Sequence, residues 1–197
     1  MKNVIKFGLA LVVFFTAFTM RANDTDFSVR VTGSGKLISF TINETKNVHV
    51  GIYSNDGTEI FSETLRSKDG KINRSYDLNA FPDGTYYLET ETKTKVGRHE
   101  ITLAGNKATV SEQTTAQVYK PVLVSKDGIV TVNILNTEKT PVEIKMYDEN
   151  NTELYTETVS GEQVVGKRFD INKTTAKNFT FVMKYNNKTF VETIAAR

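Results

Sequence analysis

The chain has 197 residues, 39% hydrophobic and 24% charged, with 12 Gly, 3 Pro and neither Cys nor Trp, a composition that folds rather than staying disordered. Without Cys, a disulfide framework, a thiolate zinc site and a cysteine nucleophile are excluded, and only His49 and His99 supply imidazole. A formal charge of +2 gives no sign of a nucleic-acid partner.

In chain order the first signal is an address. Lys2 and Lys6 precede an apolar run from Phe7 to Phe18, and Arg21-Ala22 leads into Asn23-Asp24-Thr25-Asp26. The run is shorter than the roughly 20 apolar residues that a spanning helix needs, so residues 1–22 read as a secretory signal peptide. Its removal takes Lys2, Lys6 and Arg21 and no acid, so the 25 basic residues fall to 22 against 23 acidic. The mature chain then has no long-range positive field, and neither nucleic acid nor membrane insertion is expected of it. It is expected outside the cytoplasm: secreted, at the cell surface or in the periplasm.

From residue 27 onward, apolar residues alternate over five to eight positions between Asp-Gly, Asn-Asn and Gly-rich breaks, the pattern of half-buried strands. Strands are predicted at Phe27–Val31, Lys36–Asn43, Val48–Tyr53, Glu59–Leu65, Lys71–Leu78, Thr85–Thr92 and Val96–Leu103. A second series follows at Val118–Val124, Ile129–Leu135, Val142–Tyr147, Glu153–Val159, Val165–Ile171, Phe179–Tyr185 and Lys188–Ile194. The two series superimpose as an internal repeat. Ile38, Phe40 and Ile42 match Val130, Val132 and Ile134, and Glu59-Ile60-Phe61-Ser62-Glu63-Thr64-Leu65 matches Glu153-Leu154-Tyr155-Thr156-Glu157-Thr158-Val159 position by position. Tyr76-Asp77-Leu78 matches Phe169-Asp170-Ile171 in the same way.

The expected fold class is therefore all-β: two tandem immunoglobulin-like, seven-stranded antiparallel β-sandwich domains after a signal peptide. The boundaries are 1–22 signal peptide, 23–104 first domain, 105–116 linker and 117–197 second domain. The linker composition suits an exposed connector, with Lys107 to Val110 able to add an edge strand. Period-2 geometry puts Ile38, Phe40, Ile42, Val48, Val50, Ile52, Tyr76, Leu78, Tyr86 and Leu88 inside, and His49 and Tyr53 outside.

Asp77-Leu78-Asn79-Ala80-Phe81-Pro82-Asp83-Gly84-Thr85-Tyr86-Tyr87-Leu88, preceded by Val50-Gly51-Ile52-Tyr53-Ser54-Asn55-Asp56-Gly57, resembles the C-terminal sorting domains of the bacterial type IX secretion system. The likeness extends over about Phe40 to Leu103. It implies a small β-sandwich and a bacterial envelope or secreted setting. In that family the module directs cargo across the outer membrane after export by the general pathway. The second copy carries Thr175, Ala176 and Lys177 where the first has Pro82, Asp83 and Gly84.

No constellation for catalysis stands out, and no cofactor is expected. His49 matches Glu143 on an outward position, and His99 shares its strand phase with Ile101 and Leu103, as a partly buried or edge histidine does. No Gly-x-Ser-x-Gly elbow is present. Glu63 and Glu157 lie in equivalent strands, and Glu89 and Glu91 lie two apart; all four read as solvated sheet charges rather than a glycosidase pair. Asp148 to Glu153 reads as a hairpin turn and lacks the glycine and spacing of a calcium loop. Outward-facing tyrosines remain: Tyr53, Tyr87 and Tyr147 form the candidate binding surface, for an envelope protein or a glycan. The expected function is a non-enzymatic structural, adhesive or partner-binding module. A type IX sorting module and a carbohydrate hydrolase with acids between the domains are the alternatives.

Overall fold

A computed structural model describes residues 27–31, 35–43, 46–111, 114–172 and 174–196; the signal peptide read at 1–22 lies outside them. In the first half, β1(Phe27–Val31), β2(Leu37–Ile42) and β5(Ile72–Asp77) form one antiparallel sheet in the order β1-β2-β5. The facing sheet runs β4(Glu59–Leu65), β3(Val48–Ser54), β6(Gly84–Glu91), β7(Lys95–Ala104) and β8(Lys107–Val110), with β9(Ala116–Tyr119) also paired to β7. In the second half, β10(Val122–Lys126), β11(Ile129–Leu135) and β14(Val164–Asp170) form one sheet in the order β10-β11-β14. The other runs β13(Glu153–Val159), β12(Val142–Tyr147), β15(Asn178–Tyr185) and β16(Lys188–Ala195).

The same seven-strand order thus occurs twice, down to a register shift after Ile52 in one copy and after Met146 in the other. Each pair of sheets closes on its own apolar cluster. Ile38, Val50 and Leu88 are fully buried in the first, and Val132, Ile144 and Phe181 in the second. Alternation produces this because strand side chains point to opposite faces, so every second residue shares one interior. Among the predicted core residues, Tyr76 is only partly buried, packed on Phe40 and Phe61 at the rim.

Three differences from the sequence expectation concern the middle of the chain. The predicted strand Val118–Val124 is two strands, because Pro121 has no N–H for the ladder and the chain leaves one sheet there for the next. Segment 105–116 is not simply an exposed connector: β8 lies within it, with Ala108 buried, and β9 begins at its end. Glu89, expected on an exposed face, is 7% exposed, because the second half covers it.

The first-half corner is a polar clasp. Buried Lys36 donates to Phe81 O and pairs with Asp83 Oδ1, both at 2.9 Å, while Asp83 Oδ2 accepts from Gly105 N at 2.7 Å. Tyr86 donates to Pro82 O at 2.9 Å, and its ring meets Phe81 edge-on. Gly84, at φ 154°, takes a backbone conformation that a side chain disfavours. The second half keeps the backbone bond beneath this corner, since Leu78 N→Lys36 O and Ile171 N→Gly128 O are equivalent. It replaces the clasp with Asn172, which donates to Asp127 O.

Replacing buried Phe181 by Ala is expected to cost about 3–5 kcal/mol through lost transfer energy and a residual cavity. Tyr86→Phe, which removes one hydrogen bond, should cost about 1 kcal/mol. Leu154→Ala, at a position 43% exposed, should change little. Urea unfolding followed by tyrosine fluorescence ranks the three.

Candidate functional site

The candidate site is the outer face of the large first-half sheet, where it meets the hairpin between β15 and β16. Tyr53 on β3 and Tyr87 on β6 are direct cross-strand partners, so the structure brings together two of the three candidate tyrosines. Tyr53 lies down over Gly51: a Cβ added there would stand 2.7 Å from the ring. Its hydroxyl donates to Glu59 at 3.1 Å, and Tyr87 donates to Asn55 at 3.4 Å. Burial, then the Glu59 bond and nearby carboxylates, pushes the Tyr53 phenol up to about 12, so it stays protonated as a donor. Beside it the Arg98 guanidinium lies 4.0 Å from the Tyr87 ring centroid, a cation–π stack.

Tyr147 stands apart, on β12 of the second-half sheet opposite Thr180, with its hydroxyl on Glu153 at 3.2 Å. The aromatic neighbour that Tyr53 finds in Tyr87 has no counterpart there.

Across from Tyr53, Asn186 and Asn187 both take positive φ in the two-residue turn between β15 and β16, a geometry that asparagine tolerates. The turn delivers Lys188, whose Nζ is 2.6 Å from Glu89 Oε1 and 6.0 Å from the Tyr53 ring centroid. Beneath, Val96 and Val118 are buried; Val118, carried on a first-half strand, belongs to the second-half core. Tyr185 completes the junction by donating to Tyr119 O at 2.5 Å. A groove of about 490 Å³ remains, its lining including Tyr53, Arg98, Asn187 and Lys188 together with the carboxylates of Asp56 and Glu89. Sequence reasoning missed Arg98, Asn187 and Lys188, since only the approach of the second half gives them a common site.

The other singled-out residues have local partners. His49 Nδ1 lies 3.3 Å from Thr64 Oγ1 at the outer surface. His99 is buried, with Nδ1 3.3 Å from Ser111 O, and burial lowers its basicity. Glu63 faces the space between the sheets, held by Arg74 through two bonds of 2.9 and 2.8 Å and by Tyr76 at 2.8 Å. Its twin Glu157 takes Lys167 at 2.7 Å and the Tyr155 hydroxyl. Asp148 accepts from the backbone N–H of Asn150 and Thr152, both at 2.8 Å, as a turn cap. Among the described residues no group of three or more His, Asp or Glu stands together as a metal site.

Residues 37–103 match the family described as the secretion system C-terminal sorting domain. This agrees with the likeness read from the Tyr53 turn and the Pro82–Gly84 corner, and it fits a secreted, non-enzymatic β-sandwich protein. Among curated proteins no match is found. Solved structures similar to the chain include a BSP domain of a biofilm associated protein, at 16% identity and TM-score 0.28, covering 85% of this chain and 29% of that one. A Salmonella alpha-2-macroglobulin mutant follows at 9% identity and TM-score 0.31, covering 85% and 14%. A tetra-tandem repeat from the extending region of a large adhesion protein has 13% identity and TM-score 0.26, covering 87% and 49%. The chain spans less than a third of the first two structures.

Two measurements probe these contacts. Lys188→Ala leaves the buried Glu89 carboxylate to its cross-strand neighbour Arg98, so it should cost less than the roughly 3–5 kcal/mol of a fully stranded buried charge, and Glu89→Leu combined with Lys188→Met should cost least; a double-mutant cycle in urea reads the difference. Glu63 titrates below its ordinary 4.5, because the Arg74 and Tyr76 bonds outweigh the opposing effect of burial. A group whose pKa is depressed by folding stabilises above its unfolded value, and that contribution disappears as pH falls through the folded value. Glu63→Gln should therefore flatten the loss of stability below about pH 5, measured by unfolding at a series of pH values.

Proposed function

With residues 37–103 matching the sorting-domain family, we propose that the chain is an exported, non-enzymatic pair of β-sandwich domains. The first comprises β1 to β9, since β8 and β9 complete its large sheet, and the second β10 to β16; they serve as a structural, adhesive or partner-binding module of a bacterial envelope or secretome. The observation that carries this reading is the Tyr53–Tyr87 pair, opposed on adjacent strands beside the groove. The half-buried Tyr53 ring and the Arg98-capped Tyr87, with their hydroxyl ends, suit capture of a glycan or a protein surface. A non-catalytic role is supported by the carboxylates: Glu63, Glu157 and Glu89 each neutralise a cation that holds sheets or halves together.

Sorting through the type IX pathway is the second reading, favoured by the family match itself. Its test is a secreted reporter fused to residues 105–197 or to residues 23–119, the second fragment keeping β8 and β9 with the first-half sheet. Surface delivery of either fusion supports it, and retention of both inside the envelope removes it.

For the binding reading, intact protein and Tyr53→Ala are compared in capture of envelope glycans and envelope proteins. Capture that falls at least tenfold in the variant is expected. Equal capture by both would sink the proposal. Export has a separate check: N-terminal sequencing of the extracellular protein should begin at Asn23.

A further inference from the structure

Resting on the reading of the Tyr53 face as a binding surface, we propose that the groove beside it takes a saccharide bearing a carboxylate, with the carboxylate on Arg98 and the sugar ring against Tyr53. Glu89 and Arg98 are direct cross-strand neighbours on β6 and β7 and would pair in an isolated sheet. Lys188 from the second half takes Glu89 instead, at 2.6 Å. Arg98 is left stacked on Tyr87, a cation without a carboxylate partner among the described residues. The remaining groove acid, Asp56, is held in its turn by Ser54 Oγ and Thr58 N.

Hydrogen-bonding capacity points the same way. Arg98, a groove-lining residue, has an Nε that is buried and without an acceptor among the described residues, whereas the Asn186 amide is turned to Thr140, whose hydroxyl donates to its Oδ1 at 2.6 Å. Buried donors are rarely left unmatched, and a carboxylate accepts from the guanidinium fork at two atoms at once. The rest of the lining is suited to a sugar. Tyr53, lying flat over Gly51, offers a ring wall, and the exposed amides Asn55 and Asn187 can each donate to and accept from hydroxyls. At about 490 Å³ the groove is within the ordinary range of small-ligand sites, about 300–1,000 Å³. A sugar ring is favoured over an acidic peptide because the exposed lining is an aromatic face with planar amides, and its apolar residues Val96 and Val118 are buried beneath.

The test is calorimetric titration of the full chain with trigalacturonate, with its uncharged methyl ester, and with pentaglutamate. Trigalacturonate should bind at least tenfold more tightly than either of the others, and more weakly as salt is raised. Arg98→Gln should abolish the preference over the ester, and Arg98→Lys should keep only part of it. Thermal unfolding of each variant confirms that it is folded, and the salt series on the unaltered protein needs no variant. Equal affinity for acid and ester, or tighter binding of pentaglutamate, would overturn the proposal. So would the absence of any saccharide binding; if Tyr53-dependent capture of another partner persists in that case, the binding reading stands while the acidic-sugar assignment falls.

Discussion

The whole architecture depends on one constraint: two sheets must be held face to face by alternate apolar side chains, with no disulfide available to help. Most inward positions of the central strands are therefore committed to apolar packing, as the fully buried Val48, Val50 and Leu88 show in the first half and Val142, Ile144 and Phe181 in the second. Interiors at this density tolerate little polar content. Function is consequently confined to outward positions, turns and the line where the two halves meet.

The polar groups that do enter the space between sheets sit at its open side. Glu63 on β4 reaches Arg74 on β5, and Glu157 on β13 reaches Lys167 on β14. The aromatic pair beside them has exchanged its hydroxyl between copies. Phe61 meets Tyr76 in the first, and Tyr155 meets Phe169 in the second. In both, the hydroxyl serves the same glutamate, although it arrives from opposite sheets. An inward charge on an edge strand also discourages pairing with another chain. The two copies thus preserve an interaction rather than a residue.

Elsewhere the copies have separated, and the separation follows their neighbours. In the first half β7 is continued by β8 and β9, and the inward position holds His99, buried and with its basicity lowered by that burial. At the matching place on β16 stands Glu192, which is exposed and opposite Phe181. A carboxylate is tolerable where water reaches it and costly where a strand covers it. The junction between halves makes the same choice in reverse: Glu89 is covered, and Lys188 is brought to it. That pairing releases Arg98 to the groove.

Alternation, the Asp-Gly turns and the internal repeat determined the strands, their faces and both cores from sequence alone, because each depends on side chains within one or two adjacent strands. The likeness of residues 40–103 to a sorting domain was legible for the same reason, since Pro82, Gly84 and Tyr86 act within a single corner. The break at Pro121 was also written in the chain, in a residue without an N–H, yet the run Val118–Val124 obscured it. The contact between halves was not written in any local pattern. Period 2 places Glu89, Arg98 and Tyr53 on an outer face and is silent on what covers that face. Only the tertiary structure, by bringing Lys188 to a residue 99 positions away, decided that one carboxylate would be neutralised, one tyrosine walled in and one arginine left facing the groove.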